Sequence, residues 1–257
     1  MRLHHVLDGP ADAPVVVLAG SLGTSLEMWE PQVGPLSERF QVVRVDRRGH
    51  GRSPVAVGTT TLDDLGRDIA ALLDELGLEQ VSFCGLSLGG LEGMWLAVNA
   101  PERIDRLALC CTAASFPPRE GWLDRIAAVR AGGTESIADA VLARWFTAGF
   151  GVAHAEAVGR FRAMLLATPA AGYVACCEVL ADADLAPWLA EIAAPTLVVT
   201  GCEDVVVPPA RGDGLAAAIP GASHVVLDGA SHIANVVEPD AFTEVLLHHL
   251  TADVRVA

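Results

Sequence analysis

Apolar residues follow two rhythms along the chain. In the first, short and nearly unbroken runs stand between glycines, prolines and charged residues: Val15 to Ala19, Val42-Val43-Arg44-Val45, Val81 to Cys84, Leu107 to Cys111 and Leu197 to Val199. Runs of this kind predict strands covered on both faces, as in a parallel sheet between two layers of helices. The predicted strands span 14–19, 41–46, 81–84, 106–111, 195–201 and 222–228, with 3–7 as an edge strand turned by Asp8-Gly9-Pro10.

In the second rhythm apolar residues recur every three or four positions. Leu62, Leu65, Ile69, Leu72, Leu73 and Leu76 share one face of a predicted helix over 61–76, and Asp63-Asp64 sit in its first turn, where the helix dipole favours acids. Leu91, Trp95 and Val98 mark a helix over 90–100 that stops at Asn99-Ala100-Pro101, and 239–250 reads as a terminal helix. Strands and helices in alternation imply a parallel sheet with right-handed crossovers.

Between Thr112 and Ala194 the alternation stops. Helical patterns follow one another at 122–130, 136–147, 154–167 and 169–181, with no strand among them. The expectation is one catalytic domain: a core of residues 1–114 and 191–257, and a helical cap, residues 115–190, inserted over it. A lid in that position shapes a pocket and excludes water. A chain of 257 residues is ample for such a core.

Charge narrows the possible ligands. The formal net charge of −15 argues against a nucleic-acid partner, and it obliges any anionic ligand to find a local cation. All 17 basic residues are arginines, which excludes lysine Schiff-base chemistry and a P-loop lysine. The cysteines at 84, 110, 111, 176, 177 and 202 lack metal-site spacing and read as small buried hydrophobes, so no metal is expected. The first residues have no signal-peptide core, and no apolar run reaches membrane-spanning length, so a cytoplasmic protein without a membrane partner is expected.

The chemistry begins at Gly85-Leu86-Ser87-Leu88-Gly89, a G-x-S-x-G between a predicted strand and a predicted helix. In that context the serine sits on a sharp strained turn at the carboxyl end of the sheet and acts as a nucleophile. Alone, the pentapeptide reads equally well as a βα turn with a capping serine. The loop Gly20-Ser21-Leu22-Gly23-Thr24 after the second strand offers free backbone N–H groups as half of an oxyanion hole, completed by the N–H of Leu88.

A serine needs an imidazole to take its proton and a carboxylate to hold that imidazole. His232, after the last strand, fits better than His50, His224, His248 or His249. Asp204 is the acid, with Glu203 and Asp228 as alternatives. The order serine, acid, histidine resembles that of the α/β-hydrolases, which implies an α/β-hydrolase fold: a mostly parallel sheet with helices on both faces and an inserted helical cap.

More specific segments carry a closer resemblance. Leu7-Asp8-Gly9-Pro10, Ser21-Leu22-Gly23-Thr24 with Met28-Trp29, Asp46-Arg47-Arg48-Gly49-His50-Gly51, Phe83 to Gly90, Ala143-Arg144-Trp145-Phe146-Thr147 and Gly201-x-Glu203-Asp204 are similar to the 3-oxoadipate enol-lactonases of the β-ketoadipate pathway of aromatic catabolism. The resemblance implies cofactor-free hydrolysis of an anionic lactone. In it Ser87 attacks the carbonyl, the Leu22 and Leu88 N–H groups hold the oxyanion, and His232 moves the proton. The substrate carboxylate then needs an arginine. Arg144 in the cap is the candidate, beside Trp145 as a flat wall, and a salt bridge to a cap carboxylate is its plain structural alternative. Trp122 is expected to pack between helices. Rival readings are a carboxylesterase or perhydrolase of the same fold, and a ligand receptor built on it.

Overall fold

A computed structural model describes residues 1–252. Its sheet is built from β1 (His5–Asp8), β2 (Val15–Ala19), β3 (Gln41–Val45), β4 (Val81–Leu86), β5 (Ile104–Cys110), β6 (Thr196–Gly201) and β7 (Ser223–Leu227), in the order β1-β3-β2-β4-β5-β6-β7. Only the edge strand β1 runs antiparallel to its neighbour. The chain winds from β2 outward to β3, then returns to place β4 on the other side of β2. That reversal opens a crevice at the carboxyl ends of β2 and β4, the place where ligands bind in such sheets.

The helices of the core are α1 (Glu30–Ser37), α2 (Leu62–Glu75) and α3 (Leu88–Asn99), then α9 (Pro209–Ala218), α10 (Ala234–Val237) and α11 (Pro239–Thr251) after the cap. α2 follows the expected face: Leu65, Ile69, Leu72 and Leu73 are buried, and Thr61 and Asp64 close a capping box at its start. Two core helices show no readable period. α1 contains Pro31, Gly34 and Pro35, and α9 contains Gly212 and Gly214. A side chain at Gly212 would run into Thr200 and His224, so α9 packs on the sheet through its smallest residue.

Several boundaries differ from the pattern. β4 runs on to Leu86, because Gly85 and Leu86 still pair with Leu109 and Cys110 of β5. β5 begins at Ile104, before the predicted start. In the cap, α4 (Arg119–Gly132) starts earlier than its apolar period. The stretch 136–147 divides into a 3-10 turn, Thr134–Ile137, and α5 (Ala138–Trp145), and the short α6 (Ala148–Ala153) precedes α7 (Ala155–Ala167) and α8 (Ala170–Asp182).

The cap is pinned at its base by a bridge between Ser115 and Asp184 and by Leu185 N–H donating to the Ala114 carbonyl at 2.9 Å. α8 is its buried member, with Tyr173, Cys176, Cys177, Val179 and Leu180 inside. Among the described residues no single helix is long and apolar enough to cross a membrane. Five cysteines are buried as expected, but Cys202 is exposed, because it lies just past the end of β6.

Candidate active site

Ser87 occupies the turn between β4 and α3 with φ 58° and ψ −115°, left-handed backbone that a non-glycine residue adopts only under constraint. Close packing supplies the constraint. A Cβ at Gly85 would overlap the Gly89 carbonyl, and one at Gly89 would overlap the Ala19 carbonyl of β2. The turn is held by Ser87 N–H donating to the Cys110 carbonyl at 2.9 Å and by the Thr112 hydroxyl donating to the Ser87 carbonyl at 2.7 Å.

His232 arrives from the loop after β7. Its Nε2 lies 3.1 Å from Ser87 Oγ, and its Nδ1 lies 2.9 Å from Asp204 Oδ2. The other carboxylate oxygen, Oδ1, accepts from the N–H groups of Val206 and Val207 at 2.7 and 2.9 Å. All three side chains are buried, in a geometry suited to drawing the proton from the hydroxyl while the carboxylate orients the ring.

The alternatives lie elsewhere. Glu203 and Asp228 are exposed. His224 is held between Thr200 Oγ1 and Asp213, at 2.8 and 2.7 Å, and His248 is exposed on α11. His50 is fully buried, and burial, helped by the nearby Arg47, pushes its pKa down to about 3 against a weak contact from its Nδ1 to the Arg48 carbonyl.

The loop after β2 faces the same crevice. Among the described residues the N–H groups of Leu22 and Leu88 find no acceptor. The carbonyls of this loop point the other way: Arg47 donates to those of Gly20 and Ser21 at 2.6 and 2.9 Å, and to both oxygens of Glu92 at 2.9 Å. Burial opposes the charge on Arg47, and the Glu92 carboxylate more than restores it, so this pair is a fixed ionic strut behind the loop. The effect of this pair on the loop depends on α3, which carries Glu92, lying beside it.

Ser21, Leu22, Ser87 and His232 open into a cavity of about 610 Å³ roofed by the cap. Trp145 forms part of its wall, set edge to face against Phe161. Arg144 lines it too, exposed, with no carboxylate partner among the described residues, so the expected alternative of a cap salt bridge is not formed. Trp122 does more than pack between helices: it lines the cavity and donates from Nε1 to the Phe116 carbonyl at 2.6 Å.

Arg125 and Arg211 also line the cavity and escaped the sequence reading. For Arg125 the signal was its position one turn after Trp122. For Arg211 there was none, because its orientation is set by contact with Phe116 from a distant element. The cavity lining contains three arginines and no carboxylate.

The cap and the histidine loop meet at a single carbonyl. Trp145 O accepts from Ser231 Oγ at 2.7 Å and from Ile233 N–H at 3.3 Å, so both neighbours of His232 are tied to the end of α5.

A family model described as the alpha/beta hydrolase fold matches residues 14–239. A 3-oxoadipate enol-lactonase of Acinetobacter baylyi is 41% identical over 94% of this chain and 90% of its own length, and a second from that organism is 36% identical over 93% and 89%. Among solved structures, the enol-lactonase from Burkholderia xenovorans superposes with a TM-score of 0.95 at 43% identity, covering 97% of this chain and 96% of that one. With the fold, the strained serine turn and these relatives in agreement, the chain belongs to the α/β-hydrolase family.

Proposed function

We propose that this α/β-hydrolase opens 3-oxoadipate enol-lactone to 3-oxoadipate, as a step in aromatic catabolism. The observation that carries the reading is the charge of the cavity. In a chain with net charge −15, the space over Ser87 is lined by three arginines and no acid, so it selects an anion that the rest of the surface repels. The names of the relatives supply the ester class, a lactone.

In this mechanism His232 takes the proton of Ser87 as Oγ adds to the lactone carbonyl, and the N–H groups of Leu22 and Leu88 hold the resulting oxyanion. Such donors are worth about 3 kcal/mol each. Collapse breaks the ring C–O bond, His232 returns the proton to the departing enolate oxygen, and the enol then tautomerises to the ketone. Water, deprotonated by His232, then adds to the acyl carbonyl; collapse breaks the acyl–Oγ bond, His232 hands the proton back to Ser87 and the acid is released. Asp204 keeps the ring in one tautomer throughout. Arg144 pairs with the carboxylate arm of the substrate at the mouth of the cavity, and Trp145 packs on the ring.

The test is direct. Purified protein is mixed with 3-oxoadipate enol-lactone and the loss of its ultraviolet absorbance is followed, with a neutral aryl ester as comparison. Fast lactone loss supports the reading; negligible loss beside rapid aryl-ester cleavage moves the chain to a general esterase role.

A further inference from the structure

One wall of the cavity carries more positive charge than a substrate with a single carboxylate requires. Phe116 and Trp122 meet edge to face with centroids 6.4 Å apart, and each ring carries a guanidinium. Arg125 Cζ lies 4.8 Å over Trp122, and Arg211 Cζ lies 5.5 Å from the Phe116 ring. Arg125 comes from α4 in the cap and Arg211 from α9 in the core. Stacking on aromatic faces holds a guanidinium flat and leaves its edge free for a carboxylate.

Neither arginine is neutralised. Arg39, Arg52, Arg125, Arg144 and Arg211 are the described arginines without a carboxylate within 4.0 Å, and three of these five line the cavity. Arg211 makes one bond, to the Ser115 carbonyl, and burial works against its charge. Tyr173 lines the same cavity with its hydroxyl buried and unpartnered among the described residues. Burial raises its pKa despite the nearby Arg125, so it stays an O–H donor. A wall of this make-up calls for a ligand with acceptor oxygens at two separated points.

We infer that the Arg125–Trp122–Phe116–Arg211 wall is a two-armed seat for linear dicarboxylates, one carboxylate at each guanidinium. The inference rests on the proposed function only in placing the ligand in this cavity. Opening the lactone with water turns a monoanion into a dianion and releases one proton, so the seat holds product more firmly than substrate. Unreactive diacids of similar length then compete with the substrate.

The experiment is titration calorimetry of the whole protein with adipate and with its monomethyl ester, which match in length but differ by one charge. Adipate is expected to bind about tenfold more tightly, the worth of one charge-assisted pair. In Arg125→Gln and in Arg211→Gln the two ligands are expected to bind within about threefold of each other. Equal affinities in the wild type, no binding of adipate, or the tenfold preference surviving in either variant overturns the seat. A protein that keeps the preference but leaves the enol-lactone intact loses the proposed substrate and keeps the seat. The reverse result removes the seat alone.

Discussion

The imidazole of His232 reaches the hydroxyl of Ser87 at 3.1 Å across 145 positions of chain, and both are buried beneath the cap. Removing the hydroxyl leaves that packing in place and takes away the proposed nucleophile. Ser87→Ala is expected to lower kcat/KM on the lactone by about 10⁴-fold or more, while the melting temperature stays within a few degrees of wild type. Steady-state kinetics beside a thermal melt checks both halves; a variant that still turns over would show the serine to be ornamental.

Arg144 is exposed at the cavity mouth and free of carboxylates among the described residues, so its expected contribution is to binding. Arg144→Ala is expected to raise KM for the anionic lactone about tenfold with little change in kcat, and to leave a neutral aryl ester unaffected. Parallel kinetics on the two substrates decides the matter, since equal losses on both would mean a structural arginine.

Neither residue of the Arg47–Glu92 strut lines the cavity, yet Arg47 holds the carbonyls of Gly20 and Ser21 turned away from it. Glu92→Gln leaves the buried guanidinium without a counter-charge, so the expected loss of stability is about 3 kcal/mol. It also lets the loop relax, and kcat is expected to fall with KM nearly constant. A urea titration paired with kinetics tests this; an unshifted midpoint would show that the charge is neutralised by another route.

His50 predicts an acid sensitivity unrelated to chemistry at Ser87. Its folded pKa of about 3 lies below the ordinary value of 6.5, so the unfolded chain takes up a proton that the folded one refuses. Its contribution to stability is therefore complete above about pH 6.5 and declines as the pH falls toward about 3. The drop in melting temperature between pH 7.5 and pH 5, roughly the upper half of that window, is expected to be smaller in His50→Gln than in wild type. An identical drop in both would assign the acid sensitivity to other groups.

Much of the frame was legible because a parallel sheet covered on both faces needs unbroken apolar strands, and the runs at Val15, Val81 and Leu197 have no other convincing use. Ser87, Asp204 and His232 were found the same way, as polar groups standing where such runs end. What stayed hidden depends on contacts between distant elements. α1 and α9 lack an apolar period because prolines and glycines occupy it. Arg211 faces the cavity where Ser115 and Phe116, at the base of the cap and far from α9 in sequence, supply a carbonyl and a ring to its guanidinium. The exposure of Cys202 reflects where β6 happens to stop.

The shared carbonyl of Trp145 ties the roof to the loop that carries the His232 imidazole. A shift of the α5 end that keeps both bonds carries Ser231 and Ile233 with it, and so displaces the imidazole between them from the hydroxyl.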